Sequence, residues 1–347
     1  MTNRILVAMS GGVDSSFTAA LLLEQGHRIE GVTMKLSAGV CCDIASAQAV
    51  CAHLGISHRI IDMQWEFERS VVSNFISEYR AGRTPNPCIR CNDIIKFQAL
   101  LDHARDNGFD FLATGHYARI ERDTATPRYL LKTGIDAGKD QSYFLYRLTQ
   151  DQLARILFPL GRMHKKEVRE RSRQLKLPAA ERPESQEICF VPDNDYRAFL
   201  EEHAPDVLKR GEITMTDGTV VGKHKGIAFF TIGQRRKLGV AAGERLYVTR
   251  IEPETGHVVL GKVADLQKPE LLVAEPNFIT CDALSSSLPV EVKIRYRSSF
   301  EPAVIEPAGP GRVHVRFRRP VAGISPGQAA VFYDGEVVVG GGTIEGR

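Results

Sequence analysis

The chain has 347 residues, of which 43% are hydrophobic and 25% charged, and its formal net charge is +3. This length favours two or three domains, and the composition is that of a globular protein. The sequence has no apolar run of about 18 residues, so no membrane-spanning helix is predicted. Residues 1–20 lack the basic region and the following apolar region of a signal peptide, so we expect a cytoplasmic protein. An odd number of cysteines, seven, argues against a secreted disulfide framework and favours thiols that catalyse, bind metal or lie in a core.

Strands and helices alternate in the first half of the sequence. The predicted strands are RILVAM, RIEGVTMKL, SHRIIDM and FDFLATGHYARI, and the predicted helices cover about 14–25, 43–54, 65–80 and 92–106. Gly26 and Gly55 are predicted to end the first two helices, and Asp43 to cap the start of the second. This alternation predicts a parallel sheet with right-handed crossovers, in which ligands bind at the carboxyl ends of the strands.

The pattern changes after residue 194. Residues 195–268 carry many glycines and short strand-like pieces, and residues 269–347 are nearly all short alternating runs such as VEVKIRY and RVHVRF. The YDGE tetrapeptide in the last run is typical of a hairpin turn. We therefore expect domains at 1–194, 195–268 and 269–347, the last a small β-barrel.

Residues 291–320 are basic, with seven Lys or Arg residues against three Glu. Such a run is most simply a solvated strand face. The alternative is a surface that contacts the phosphate backbone of a nucleic acid.

The stretch VAMSGGVDSS, residues 7–16, joins the first strand to the first helix. Gly11 and Gly12 allow the backbone to come close to a ligand, and a helix N-terminus favours an anion. Asp14 could orient a magnesium ion. Phosphate oxygens could accept hydrogen bonds from Ser10, Ser15 and Ser16. The loop lacks the Gly-Lys-Ser/Thr end of a Walker A motif, and a tight turn capped by serines is the alternative.

Cysteines form a second group of candidate residues. Cys88 and Cys91 lie in GRTPNPCIRCNDIIKF, before a predicted helix, and Cys189 lies in ESQEICF. A thiol just before a helix N-terminus is expected to have a lowered pKa and hence to be nucleophilic. The alternatives are half of a zinc site and packing in a core. Zinc requires four ligands, and only the adjacent Cys41 and Cys42 could complete such a set.

Seven motifs in this order resemble the tRNA-specific 2-thiouridylase family over essentially the whole chain: SGGVDSS, GRTPNPCIRCNDIIKF, ATGHYARI, GKDQSYFLY, ESQEICFV, TIGQRRKLG and SPGQAAVFYDGEVVVGGGTI. SGGVDSS is similar to the PP-loop of ATP pyrophosphatases. The resemblance implies an α/β catalytic domain over 1–194, with a PP-loop parallel sheet of the adenine nucleotide alpha hydrolase type and helices on both faces. It also implies a small mixed or β central domain over 195–268, which is a tRNA-binding linker domain, and a C-terminal β-barrel over 269–347.

The resemblance implies that ATP adenylates the 2-carbonyl oxygen of the wobble uridine in tRNAs of the Lys, Glu and Gln type. Pyrophosphate leaves, and sulfur then replaces the oxygen with loss of AMP. ATP and Mg²⁺ are the implied cofactors. The implied partners are tRNA and a sulfur-donor or sulfur-relay protein, with the chain itself a monomer.

The resemblance also implies roles for particular residues. Cys91 is the implied nucleophile and Cys189 the implied carrier of a persulfide. The implied ATP contacts are Ala8, Met9, Ser10, Gly11, Gly12, Val13, Asp14, Ser15, Met34 and Gly115. The implied tRNA contacts are His116, Lys139, Asp140, Gln141, Arg295, Tyr296 and Gln328, which would make the basic run an RNA surface.

Cys88 departs from the pattern of the family, because many members have Asp at this position. Three thiols, Cys88, Cys91 and Cys189, could hold a 4Fe–4S cluster with one open iron position. Two mechanisms therefore stay open: a persulfide followed by disulfide cycling, and sulfide carried by a cluster. Cys88 could equally be an inert replacement or a spare resolving thiol.

Two other classes of protein are alternatives. A PP-loop synthetase would adenylate a small carboxylate without tRNA, and a non-enzymatic metal module would use the cysteines alone. Release of pyrophosphate that requires tRNA would exclude both. Among the remaining residues, Cys51 and Cys281 are expected in cores, and Trp65 is expected to pack a helix.

Overall fold

A computed structural model describes residues 2–36, 42–183, 188–240 and 243–346. The chain divides into two compact units, the first comprising Met1–Val71, Cys88–Phe190 and Glu336–Val339, and the second comprising Val72–Pro87, Val191–Gly335 and Gly340–Arg347. The domain boundaries expected from the sequence stay a prediction. In the described ranges no helix is long and apolar enough to cross a membrane.

The first unit contains a five-stranded parallel sheet and a hairpin. Its strands are β1 (Arg4–Ala8), β2 (Arg28–Lys35), β3 (His58–Asp62), β4 (Phe111–Ala113), β5 (Ala118–Arg122), β6 (Tyr129–Thr133) and β7 (Ile156–Leu157). The sheet has the order β3-β2-β1-β4-β7, and β5 and β6 pair as an antiparallel hairpin. Chain order reverses at β1, so the carboxyl ends of β1 and β4 form the switch point where such sheets bind ligands.

Helices connect these strands. Up to residue 174 they are α1 (Val13–Glu24), α2 (Ile44–Leu54), α3 (Gln64–Phe67), α4 (Ser73–Arg80), α5 (Pro87–Arg90), α6 (Leu100–Asp106), α7 (Gln150–Leu153) and α8 (Lys165–Gln174). Segments of π-helix, Glu68–Val72 and Cys91–Ala99, join α3 to α4 and α5 to α6.

The central strand β1 is buried on both faces. Ile5 and Val7 lie in a core with Leu22 of α1 and Val50 of α2. Leu6, whose side chain points the opposite way, is also completely buried. Strands with two buried faces are expected in a parallel sheet covered on both sides.

Most of the predicted elements of this unit are confirmed. The Asp43 carboxylate accepts a hydrogen bond from the Ser46 amide at 2.9 Å, and so caps α2. Gly26 and Gly55 adopt φ values of 81° and 67° where the first two helices end. The single strand predicted for FDFLATGHYARI is wrong, because residues 114–117 turn the chain between β4 and β5, which belong to different sheets.

The second unit contains α4, α9 (Tyr196–His203) and a mixed sheet. The strands of this sheet are β8 (Gly211–Met215), β9 (Val220–His224), β10 (Tyr247–Glu252) and β11 (His257–Gly261). Their order is β10-β11-β8-β9, and only β8 and β11 pair in parallel. Ile213, Phe229 and Val248 are among the apolar residues in its core.

The last six strands form a closed barrel. They are β12 (Gln267–Phe278), β13 (Leu288–Lys293), β14 (Glu301–Pro307), β15 (Arg312–Ala322), β16 (Ala329–Asp334) and β17 (Val337–Ile344). The order is β12-β15-β14-β13-β16-β17, and β17 pairs back with β12. The predicted hairpin turn lies between β16 and β17, where Gly335 has a φ of 54°. The predicted fold class is confirmed.

Candidate active site

The loop between β1 and α1 has the geometry of an anion site. Gly11 has a φ of 81°, and a Cβ atom at this position would lie 2.6 Å from the carbonyl oxygen of Asp43. Gly12 is the N-cap residue of α1, and no side chain caps that helix. The backbone amides in the first turn of α1 therefore receive no hydrogen bond acceptor from the side chain of the N-cap residue. They lie at the positive end of the helix dipole, where an anion is favoured.

Two side chains outside the loop hold its backbone. The carbonyl oxygen of Gly11 accepts hydrogen bonds from Ser46 Oγ at 2.9 Å and from Arg182 Nη1 at 3.1 Å. Arg182 also forms an ion pair with Asp43. The hydrogen bond from the Ser46 amide, aided by Arg182, lowers the pKa of Asp43. No motif in the sequence pointed to Arg182, which lies 171 residues away from Gly11 along the chain.

The three serines divide into two roles. Ser15 Oγ and Ser16 Oγ donate to the carbonyl oxygen of Gly12 at 3.1 and 2.7 Å, so both shape the loop from inside. Ser10 is exposed, and its hydroxyl lies 3.2 Å from that of Ser15. Ser10 is thus the hydroxyl of the three that faces solvent in this loop.

The carboxylate of Asp14 already accepts hydrogen bonds from two side chains. Lys165 Nζ lies 2.7 Å from each carboxylate oxygen, and the Tyr117 hydroxyl donates to Oδ1 at 2.7 Å. Among the described residues no group of three or more His, Cys, Asp or Glu could hold a metal ion. Mg²⁺ in nucleotide sites is commonly held by phosphates and only one or two carboxylates, so one carboxylate is compatible with it. The role of Asp14 as a magnesium ligand stays a prediction.

The loop after β4 abuts the start of α1. A Cβ atom at Gly115 would lie 2.9 Å from Asp14 Cβ, which explains a glycine here. Met34, near the end of β2, is buried. The loops after β1 and β4 therefore meet at the switch point, and contacts of Met34 and Gly115 with ATP stay predictions.

His116 lies in an aromatic cage below this loop. Its ring centroid is 5.6 Å from those of both Phe97 and Phe158, and Nδ1 lies 2.6 Å from the Thr114 hydroxyl. Burial, together with the positive charge of Lys96, holds the pKa of His116 well below its usual value. The ring is therefore neutral and organises the loop, and a contact with tRNA stays a prediction.

Two of the residues expected to bind tRNA in the stretch 139–141 have internal partners. The buried Asp140 carboxylate accepts from the amides of Gly134 and Ser142 at 3.0 and 3.1 Å. Gln141 forms two hydrogen bonds with the backbone of Tyr117. Its backbone N–H donates to the Tyr117 carbonyl oxygen at 2.8 Å, and its side-chain Oε1 accepts from the Tyr117 N–H at 3.0 Å. These side chains shape the turn, and their contact with tRNA stays a prediction.

The predicted lowering of thiol pKa values is wrong for both cysteines of the CxxC motif. Cys88 lies in the first turn of α5, and Cys91 is the first residue of the π-helical segment. Burial raises the pKa of Cys91 to about 12, although the charge of Lys96 opposes it. Desolvation also raises the pKa of Cys88, although this residue is exposed at the surface. Loss of water around the sulfur outweighs the helix dipole here.

The three thiols of the proposed site belong to the same unit, and the pKa values of Cys88 and Cys91 depend on the charge of neighbouring thiols. Charge on Cys189 would raise the pKa of both Cys88 and Cys91, and Cys42 has the same effect on Cys91. The described residues nevertheless contain no group of three cysteines close enough to hold a metal. Binding of a 4Fe–4S cluster by Cys88, Cys91 and Cys189 stays a prediction. Cys41 lies outside the described residues.

Lys96 is a candidate residue that the sequence did not single out. It is five positions after Cys91, and the i→i+5 hydrogen bonds of a π-helix bring residue i+5 towards the face of residue i. Its charge lowers the pKa of both Cys88 and Cys91. The cation is thus placed to favour thiolates in an otherwise desolvated site.

Two of the three predicted tRNA contacts in the barrel hold backbone within the second unit. Arg295 Nη2 donates to the carbonyl oxygens of Ile232 and Gly323 at 2.8 and 2.6 Å. Gln328 Nε2 donates to the carbonyl oxygens of Thr84 and Pro85 at 3.0 and 3.1 Å. For Tyr296 the structure records Lys293 Nζ 5.8 Å from the ring centroid. Their roles in binding tRNA stay predictions.

The basic run is partly neutralised. Arg312 pairs with Glu345 at 2.8 Å, and Arg316 pairs with Glu306 at 2.6 Å. This pairing favours the simpler interpretation of a solvated strand face.

Three expectations for residues outside the site can be checked. Cys51 is buried as expected, whereas Cys281 is only partly buried. Trp65 is exposed, with the Arg69 guanidinium 5.0 Å from its ring, so the prediction that it packs a helix is wrong.

Known families and proteins match the chain from end to end. Three family models cover it in succession: the tRNA methyl transferase HUP domain over residues 3–193, the tRNA methyl transferase PRC-barrel domain over 197–262 and the aminomethyltransferase beta-barrel domain over 268–344. The tRNA-specific 2-thiouridylase MnmA of Carboxydothermus hydrogenoformans is 47% identical, with 99% of this chain and 98% of the relative covered. That of Heliobacterium modesticaldum is 49% identical, with 99% and 93% covered.

The chain belongs to the tRNA-specific 2-thiouridylase family. The family models are named for methyl transfer, but the relatives that match at full length are named for thiolation, and the predicted family is confirmed. The U34-tRNA thiolase NcsA from Methanococcus maripaludis with its [4Fe-4S] cluster has a TM-score of 0.33 at 19% identity, covering 52% of this chain and 60% of that one. A TM-score this low does not relate the residues of the two sites to each other.

Proposed function

We propose that this chain replaces the 2-carbonyl oxygen of the wobble uridine of tRNA by sulfur, in a reaction driven by ATP. Membership of the 2-thiouridylase family makes the chain a tRNA-modifying sulfurtransferase, so the proposal concerns how it works. The observation that carries it is the occurrence, in one unit, of an anion-binding loop at a sheet switch point and of Cys88, Cys91 and Cys189. The loop would activate an oxygen, and the thiols would deliver the sulfur.

The first step activates the base. Uridine O2 attacks the α-phosphorus of ATP, the bond to the β-phosphate breaks, and pyrophosphate leaves. AMP is then attached to O2, which converts a poor leaving group into a good one. The loop of residues 8–15 and the start of α1 supply amide groups for the negative charge that develops on pyrophosphate. Mg²⁺, when bound with the phosphates, would neutralise part of the same charge.

The second step transfers sulfur. The outer sulfur of a persulfide on Cys189 attacks C2, and AMP departs with the former carbonyl oxygen. The Cys91 thiolate then attacks Cys189 Sγ, and the S–S bond to the base breaks to leave 2-thiouridine. Two thiol electrons thereby reduce the transferred sulfur, a Cys91–Cys189 disulfide forms, and an external dithiol must reduce it before the next cycle.

The proposal also covers the source of the sulfur, the oligomeric state and the substrate tRNAs. A sulfur-donor or relay protein loads Cys189, which is partly exposed. The chain acts as a monomer on tRNAs of the Lys, Glu and Gln type, and cytoplasmic tRNA is its substrate. A 4Fe–4S cluster held by Cys88, Cys91 and Cys189 would be an alternative sulfide carrier.

The test measures pyrophosphate release with and without tRNA, and 2-thiouridine by electrophoresis of the tRNA in a mercury-containing gel. The proposal expects pyrophosphate only when an unmodified tRNA of the right type is present. Release without tRNA would instead indicate a synthetase of small carboxylates. Iron and acid-labile sulfide in anaerobically purified protein, beside a Cys88→Ala variant, test the carrier. Full activity without iron supports the persulfide, whereas about four irons per chain, lost with Cys88, would overturn it.

A further inference from the structure

The carboxylate of Asp14 is the centre of a small polar cluster beside the proposed ATP loop. Lys165 Nζ lies 2.7 Å from both Oδ1 and Oδ2, and the Tyr117 hydroxyl donates to Oδ1 at 2.7 Å. The Lys165 side chain is only 9% exposed, against 33% for Asp14. A lysine is rarely buried to this degree unless it is paired, so the contact is a built feature of the fold.

Separate segments fix the cluster. Lys165 is the first residue of α8, and its amide donates to the Asp136 carboxylate at 2.9 Å. Tyr117 follows β4, and its ring centroid is 5.8 Å from Lys165 Nζ. Helices α1 and α8 also share an apolar core that includes Phe17 and Val168. The backbone of Lys165 is therefore held by packing and by a hydrogen bond that do not involve Asp14, so the side chain starts from a fixed position beside the loop.

The charge of Asp14 conflicts with the proposed ligand. Asp14 lies in the first turn of α1, where the helix dipole attracts anions. A free carboxylate there would satisfy the dipole itself and would repel the phosphate groups of ATP, because like charges at short range oppose each other strongly in a partly buried site. Lys165 cancels this charge without occupying the amide groups of the loop.

We propose that Lys165 is a positioning residue of the nucleotide site, which neutralises and immobilises Asp14 so that the start of α1 stays open to phosphate. The inference rests on the proposed use of ATP at residues 8–15, and it adds a residue that neither the sequence motifs nor the family resemblance singled out. It also assigns Asp14 a structural role in the loop in place of direct contact with the metal.

The test compares a single and a double variant by calorimetric titration of ATP, with Mg²⁺ and without tRNA. Lys165→Met leaves Asp14 charged and poorly compensated, so we expect ATP to bind on the order of tenfold to a hundredfold more weakly. Lys165→Met combined with Asp14→Asn removes the stranded charge, and we expect it to bind ATP at least fivefold more tightly than Lys165→Met alone. Lys166→Met is the matched control, because Lys166 lies on the same helix and is 89% exposed.

Each result decides the inference. All variants are compared below their melting temperatures, with folding checked by circular dichroism, so that lost affinity is not lost structure. Wild-type affinity in folded Lys165→Met would overturn the proposal. A double variant that binds no better than Lys165→Met would also overturn it, and would indicate that Lys165 or Asp14 contacts ATP or its metal directly. If ATP fails to bind the unsubstituted chain, the proposed function falls as well.

Discussion

The nucleotide loop, residues 8–15, and the cysteine segment, residues 88–91, both lead into a helix, yet their surroundings differ. In the loop, Gly11 and Asp14 are held by hydrogen bonds and ion pairs from Ser46, Arg182 and Lys165. In the cysteine segment, burial raises the pKa of the thiols. An anion site made of backbone amides works wherever the local conformation forms, whereas the reactivity of a thiol depends on what the rest of the fold packs around it.

The largest effect is expected from the thiols. Cys189→Ser removes the sulfur carrier, so 2-thiouridine formation should fall by a factor of about 1,000 or more, as for loss of an essential nucleophile. Pyrophosphate release in the presence of tRNA should continue, because that step uses the loop. Cys281→Ser, a change to a partly buried cysteine of the second unit, is the control. Full thiolation by Cys189→Ser would remove Cys189 from the mechanism.

The raised pKa of Cys91 predicts a steep pH dependence. Because the pKa is about 12, the thiolate is a minor species throughout the range from pH 7 to 9. Its fraction, and the rate of alkylation by iodoacetamide in the free protein, should then rise about tenfold per pH unit with no plateau below pH 9. Peptide mass spectrometry measures the rate at each cysteine.

Lys96 sharpens the same experiment. Lys96→Met removes the charge that opposes the effect of burial on Cys91, so alkylation at a given pH should slow several-fold. A plateau near pH 7 in the unsubstituted chain would instead support the lowered pKa that the sequence alone suggests, and would make the two regions alike.

Gly11→Ala should destabilise the loop in two ways, by backbone strain at a positive φ and by a clash with Asp43. The residue has a φ of 81°, and the new Cβ would lie 2.6 Å from the Asp43 carbonyl oxygen. We expect the free energy of unfolding to fall by about 2 kcal/mol or more, with weaker ATP binding. Gly26→Ala is the matched control, since its φ is also 81° but nothing lies within 4 Å, so it should lose about 1 kcal/mol. Equal losses in denaturant titrations would show that the close contact with Asp43 is unimportant.

The smallest effect is expected at Gln328. Its amide holds the carbonyl oxygens of Thr84 and Pro85, three to four residues before Cys88 in the chain. Gln328→Glu keeps the length of the side chain but cannot donate, and should lower the free energy of unfolding by about 1–2 kcal/mol. If these bonds also set the cysteine segment, the kcat of thiolation should fall several-fold while the KM for tRNA changes little. A rise in the KM alone would instead indicate a direct tRNA contact.

Much of the fold and part of the site could be predicted from the sequence. The alternation of strands and helices, the Asp43 cap and the glycine stops are local, so they appear in the structure where the pattern places them. The failure at FDFLATGHYARI has a tertiary cause. Its apolar pattern runs on, but Gly115 must pass against Asp14, and the chain turns there into a second sheet.

The sequence by itself determined the parallel sheet, the short strands of the C-terminal barrel, the glycine loop before α1 and the candidate cysteines, because these follow from residue types at short spacing. Closure of the barrel depends on the pairing of β17 with β12, which are distant in the chain. Only the tertiary structure decided that Lys165 neutralises Asp14, that Arg182 holds Gly11 and that Arg295 binds backbone. It also decided that burial raises the pKa of Cys91. Pairing and desolvation depend on atoms that are close in space but distant in the chain, and no local pattern of residues encodes them.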